Sequence, residues 1–107
     1  MVNPSVLESI REYLRRLSSR GLAVRFAVLF GSRASGSGDT WSDIDLLVIS
    51  PDFDDVFPRT KIDLLWRIAA RVDSRIEPLP CGERQWLEDE STPIIETARR
   101  EGIQIGA

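Results

Sequence analysis

The stretch at residues 30–50, FGSRASGSGDTWSDIDLLVIS, decides how this chain is read. An apolar run, AVRFAVLF, leads into Gly31-Ser32; small residues follow, and Asp43 and Asp45 then open a second apolar run, DIDLLVIS. Runs rich in β-branched and aromatic residues favour strands, and glycine punctuates them. Residues 23–30 and 43–50 are therefore read as two strands joined by a loop whose first residues can form a short helical turn. Successive strand side chains alternate faces, so Asp43 and Asp45 project the same way, about 6–7 Å apart. Ile44, Leu46 and Val48 project oppositely, into a core. Two carboxylates so placed repel each other, and a divalent cation bridging them is the economical solution.

The residues before the acids have the chemistry a phosphate needs. Gly31 lets the backbone approach a ligand closely. Ser32 offers a hydroxyl and an amide, and a helical turn starting there would favour an anion through its N–H groups and dipole. Arg33 is read either as a phosphate contact or as a solvated loop residue. Glu77, between Ile76 and Pro78, is the expected third carboxylate, completing a metal site and accepting a proton from an attacking hydroxyl. Asp73, at a helix end where polar caps are common, competes with it. Two metals in such a site stabilise the attacking and leaving oxygens of an in-line displacement at phosphorus.

The rest of the chain frames this pair of strands. Asn3-Pro4 predicts a helix start, with Val6, Leu7, Ile10, Tyr13, Leu14 and Leu17 as its apolar face and Gly21 as its stop. Asp52, Asp54 and Asp55 lie in a solvated, proline-bounded loop. Thr60 and Asp63 predict a capping box for a helix through Ile62, Leu65, Trp66, Ile68, Ala69 and Val72. Residues 74–80 read as a third strand, weakened by its prolines. Residues 82–90 predict a short helix, Ser91 or Thr92 caps another at Pro93, and Ile103-Gln104-Ile105 reads as an edge strand. Trp41 is read as covering the core, with stacking on a base as the alternative; Trp66 as core; Trp86 as core or partner contact; Cys81 as a small buried hydrophobe. The expected fold is α+β, a small mixed sheet with helices packed on it.

Composition narrows the chemistry. The 107 residues suit one domain, 1–107. With no histidine, Ser-His-Asp and Cys-His catalysis are excluded and most zinc sites with them. Any metal must be held by oxygen ligands, which suits Mg²⁺ or Mn²⁺. A net charge of −3, with scattered arginines and Lys61 as the one lysine, argues against free nucleic acid as a partner. No apolar run is long enough for a membrane span, the N-terminus does not read as a secretory signal, and one cysteine fits a reducing cytoplasm.

Gly31-Ser32, ten residues, and then Asp43-Ile44-Asp45 resembles the G-S-x10-D-x-D pattern of the minimal nucleotidyltransferases, small members of the DNA polymerase β-like superfamily. The flanking strands and the order of elements agree across nearly the whole chain. The resemblance implies a polymerase β palm-like fold, Mg²⁺, ATP or another nucleoside triphosphate as substrate, and transfer of a nucleoside monophosphate to a hydroxyl. Asp43 and Asp45 match the family's metal ligands and Gly31-Ser32 its phosphate loop. Glu77 matches the third acid, although the family often has Asp there and Pro78 is an unusual neighbour. The length resembles that of stand-alone members paired with HEPN-domain toxins. That pairing implies an antitoxin transferring AMP from ATP to a tyrosine of the toxin. A non-catalytic antitoxin that binds its partner, and a small-molecule nucleotidyltransferase working as a homo-oligomer, are the alternatives.

Overall fold

Asn3 starts the first helix by accepting the Ser5 amide at 2.8 Å, and Pro4 sits in the first turn, where no N–H is needed. The computed structural model describes residues 2–36 and 41–107; part of the expected loop, residues 37–40, lies outside them. Helix α1 (Pro4–Ser19) buries Val6, Ile10, Tyr13, Leu14 and Leu17, the three- and four-residue spacing of one helix face.

The next elements alternate strand and helix: β1 (Phe26–Phe30), α2 (Ser32–Ser35), β2 (Ile44–Ile49), α3 (Arg59–Val72) and β3 (Ile76–Cys81). Then follow α4 (Glu83–Glu88), α5 (Pro93–Glu101) and β4 (Ile103–Gly106). The strands form one mixed sheet in the order β3-β2-β1-β4. β1 is antiparallel to both β2 and β4, whereas β2 and β3 are parallel. A parallel pair needs a long crossover, and α3 supplies it. The fold is α+β.

The prolines of β3 are accommodated by its place at the sheet edge. Arg75 O accepts from Ile44 N at 2.8 Å and Cys81 O from Ser50 N at 3.0 Å. Backbone groups alternate sides along a strand, so residues 75, 77, 79 and 81 face β2. Pro78 and Pro80 face the open edge, where a missing N–H breaks no ladder bond.

Helices cover both faces of the sheet. On one face α1 and α3 pack with Ala27, Leu29, Ile44, Leu46, Val48, Ile76 and Ile105, and the Tyr13 hydroxyl donates to the Leu65 carbonyl at 2.9 Å. On the other face Val28, Leu47, Ile49 and Cys81 meet Ile95 and Ala98 of α5, with Trp86 of α4 at the margin. Trp86 makes an edge contact with Phe26 at 5.9 Å, and Arg99 lies 5.5 Å from its ring centre.

Two expectations about α3 need correction. It begins at Arg59 directly after Pro58, with no side-chain cap. Pro58 holds the last extended residue, so Thr60 is already helical and the Thr60–Asp63 capping box does not form. Trp66 is 48% exposed rather than core: it lies about 100° round the helix from buried Leu65, outside the stripe that Leu65, Ile68 and Ala69 bury.

Candidate active site

The sheet brings Asp43, Asp45 and Glu77 to one end of one face. Asp45 lies opposite Glu77 in the parallel register and opposite Phe30 in the antiparallel one. Neighbouring strands are about 4.8 Å apart. Asp43 is one residue before β2 and exposed, and strand alternation puts it on the same face as Asp45. Farther along that face come Leu47 and Ile49, buried under α5. The acid face of β2 is therefore apolar for most of its length. The carboxylates occupy the end where that helical cover stops, which answers how the strand tolerates them.

Gly31 is fitted against this cluster. Its φ of 75° and ψ of −154° belong to a region that glycine alone occupies comfortably. A Cβ built there would lie 2.5 Å from Asp45 Oδ2, well inside ordinary contact. The Gly-Ser turn and the second aspartate thus touch without an intervening side chain. Ser32 opens α2, whose one turn is closed by Ala34 and Ser35 amides donating to the Gly31 carbonyl at 3.1 and 3.2 Å. Arg33 donates through Nη2 to the Ser42 carbonyl at 2.9 Å. It therefore braces α2 against the residue that precedes Asp43, a positioning contact the sequence did not foretell.

Electrostatics mark the acids as mutually strained. The Asp45 carboxyl is raised above the ordinary carboxylate range, first by burial and then by the charge of Asp43. Glu77 is also raised, by desolvation, then by the charges of Asp43 and Asp45 and a hydrogen bond with Asp43. A cation at this end of the sheet would relieve both. The donors are all oxygen, which fits a hard divalent ion, and two of them sit on or beside a central strand. Among the described residues no three acidic, thiol or imidazole groups are already disposed as a metal cage, so the carboxylates are neighbours without a preformed ligand set.

The other acids have structural work. Asp73 pairs with Arg75 at 2.6 Å, and those hydrogen bonds hold its carboxyl down at about 2; it belongs to the turn before β3. The 52–55 loop is not simply solvated. Asp52 accepts from Ala23 N at 3.0 Å. Asp54, its side chain 9% exposed, accepts from Arg84 N at 2.9 Å. Gly82 precedes α4 and has no side chain, so Asp54 caps that helix from a distance. Asp55 alone is fully solvated, at 88%. Trp41 is 86% exposed and does not cover the core; it lies where the apolar stripe of β2 has not yet begun. Cys81 is buried as expected, and burial pushes its thiol up to about 11.

On the β1 side of the acids a cavity of about 420 Å³ opens between α2 and α5, lined by Phe30, Gly31, Ser32, Ala34, Ser35, Thr97 and Glu101. Thr97 and Glu101 were not singled out from sequence. Ile95 and Ala98 mark the buried stripe of α5, and Thr97 and Glu101 lie one turn apart on its flank.

The model of the nucleotidyltransferase domain matches residues 7–81, most of the chain and all of the Gly-Ser and Asp-x-Asp segments. The chain belongs to the nucleotidyltransferase domain family. Solved structures agree on the fold. A protein from Sulfolobus solfataricus, provisionally assigned as a nucleotidyltransferase, superposes with a TM-score of 0.66 at 16% identity, over 92% of this chain and 77% of that one. A toxin–antitoxin structure with AMP-PNP gives 0.61 at 23% identity, over 92% and 70%. A mutant of the toxin–antitoxin MntA-HpeT gives 0.60 at 21%, again over 92% and 70%. No curated protein sequence matches the chain. No helix among the described residues is long and apolar enough to cross a membrane.

Proposed function

We propose that this nucleotidyltransferase domain transfers AMP from ATP to a hydroxyl of a protein partner, a tyrosine of a HEPN-domain toxin, and so acts as an antitoxin. The observation that carries the chemistry is the contact between Gly31 and Asp45: the turn that would cradle the triphosphate touches a carboxylate that would hold its metal. The partner assignment rests on the resemblance to stand-alone minimal nucleotidyltransferases. The similarity in fold to toxin–antitoxin chains is compatible with it.

In this reading Asp43 and Asp45 hold Mg²⁺, with Glu77 as the third acid. An ion held there would neutralise triphosphate charge and polarise the reacting phosphoryl group. Gly31 and Ser32 seat the phosphates, and Arg33 keeps α2 in register with the acids. The acceptor oxygen attacks the α-phosphorus, its proton passes to the Glu77 carboxylate, and the bond to the pyrophosphate oxygen breaks. A phosphodiester forms and pyrophosphate leaves. Glu77 is assigned the proton by its place: it stands on the edge strand, directly opposite Asp45 in the parallel register. The reading places the 107 residues as one catalytic domain in the cytoplasm.

The test is transfer of label from α-labelled ATP with Mg²⁺, with the chain co-expressed alongside a HEPN-domain partner. Label on a partner tyrosine, absent with Asp43→Asn/Asp45→Asn, supports the reading. Tight complex formation without label would replace it by a binding-only antitoxin. Label on a small-molecule acceptor instead would move it to the antibiotic-modifying class.

A further inference from the structure

The cavity between α2 and α5 has no part in the reaction as derived so far. It shares Gly31 and Ser32 with the proposed phosphate seat, so whatever fills it lies next to a bound triphosphate. The sheet also gives the site two sides. Glu77, the proposed proton acceptor, is on edge strand β3, whereas Gly31, α2 and α5 lie over β1 on the far side of Asp45. An in-line displacement brings its nucleophile and its leaving group from opposite sides of phosphorus. The acceptor then enters over β3, and pyrophosphate leaves over β1, the side on which the cavity opens.

Resting on the nucleotidyltransferase reading, we propose that the α2–α5 cavity is the nucleoside subsite, with Thr97 and Glu101 as its specificity-determining residues. Small-molecule pockets of roughly 300–1,000 Å³ combine apolar walls with a few placed polar groups. This one is lined by apolar Phe30 and Ala34, with the polar residues Thr97 and Glu101 on the α5 side. Glu101 can only accept hydrogen bonds, so it selects donors: ribose hydroxyls or a base amino group. Thr97 can donate or accept. Arg100 lies 3.7 Å from the Glu101 carboxylate. Among the described residues, the lining comes from the end of β1, α2 and α5. A nucleoside there would stay within reach of the phosphate turn without blocking the acceptor's approach to Glu77.

The experiment is calorimetric binding of ATP and of inorganic tripolyphosphate, each with Mg²⁺, to the wild-type chain, Thr97→Trp and the milder Thr97→Met. Filling the cavity is expected to weaken ATP binding about tenfold or more in Thr97→Trp, and less in Thr97→Met. Tripolyphosphate affinity should stay within about twofold, which also shows that each variant is folded. Unchanged ATP affinity in Thr97→Trp overturns the subsite while leaving the nucleotidyltransferase reading intact. Equal losses for ATP and tripolyphosphate overturn it too, because the substitution then acts on the phosphate turn. If wild type binds neither ligand, the reading itself fails and the subsite goes with it.

Discussion

Gly31→Ala isolates the contact on which the site depends. Two costs are expected. At φ 75° and ψ −154° a Cβ brings backbone strain of about 1–3 kcal/mol. The new methyl would also stand 2.5 Å from Asp45 Oδ2 and 3.4 Å from its Cγ, and overpacking of that kind costs about 1–3 kcal/mol. The sum, about 2–6 kcal/mol, is a large part of the stability of a small domain. The second cost is removable. In Asp45→Ala the oxygen is gone, and the remaining Cβ lies at 3.6 Å, an ordinary contact. Adding Gly31→Ala to Asp45→Ala should then cost only the backbone share. A double-mutant cycle by urea denaturation should give a coupling of about 1 kcal/mol or more between the two positions. Strict additivity would refute the contact, and a Gly31→Ala variant within about 0.5 kcal/mol of wild type would refute the backbone assignment as well.

Other outcomes follow from the same geometry. Without divalent metal at neutral pH, Asp45→Asn should melt higher than wild type, because it removes a charge that burial and Asp43 disfavour; added Mg²⁺ should raise the wild-type Tm and leave Asp43→Asn/Asp45→Asn unmoved. Asp73 has the opposite sign. Its carboxyl is at about 2 in the fold against 3.8 ordinarily, so the Arg75 pair stabilises above about pH 4 and that contribution fades as pH falls toward 2. Arg75→Ala should cost at most about 2 kcal/mol at pH 7 and flatten the acid limb of a stability–pH curve; an unchanged limb would remove Asp73 from it. Asp54→Ala should lose about 0.5–2 kcal/mol in denaturant melts, whereas Asp55→Ala, fully solvated, should lose almost nothing.

How far the sequence reached depended on how local each determinant is. The α1 face, the two strands flanking the Gly-Ser turn, and the shared side of Asp43 and Asp45 follow from period and spacing along one segment. The α+β class followed from the order of such segments. What escaped depends on elements distant in the chain. Asp54 looked like any loop acid because its partner, Arg84 N, is 30 residues away. Arg33 was ambiguous because its acceptor is a backbone carbonyl, Ser42 O, which carries no sequence signal. Leu47 and Ile49 were readable only as strand residues; their burial on the acid face requires α5 to be laid over β1. Trp41 and Trp66 were misread for one reason: aromatic character predicts burial on average, while the helix phase and the strand boundary decide it for each residue. Glu77 was reached through its apolar neighbours, and the β2–β3 register then set it opposite Asp45.

The central claim is that the Gly31-Ser32 turn and the Asp43–Asp45 pair form one metal-dependent nucleotide site. The measurement that tests it most directly is the affinity for ATP by calorimetry, with Mg²⁺ and with chelator, in wild type and in Asp43→Asn/Asp45→Asn. The account predicts binding to wild type that requires Mg²⁺ and is lost in the double variant. Equal binding with chelator, or undiminished Mg²⁺-dependent binding after both aspartates are replaced, would contradict it.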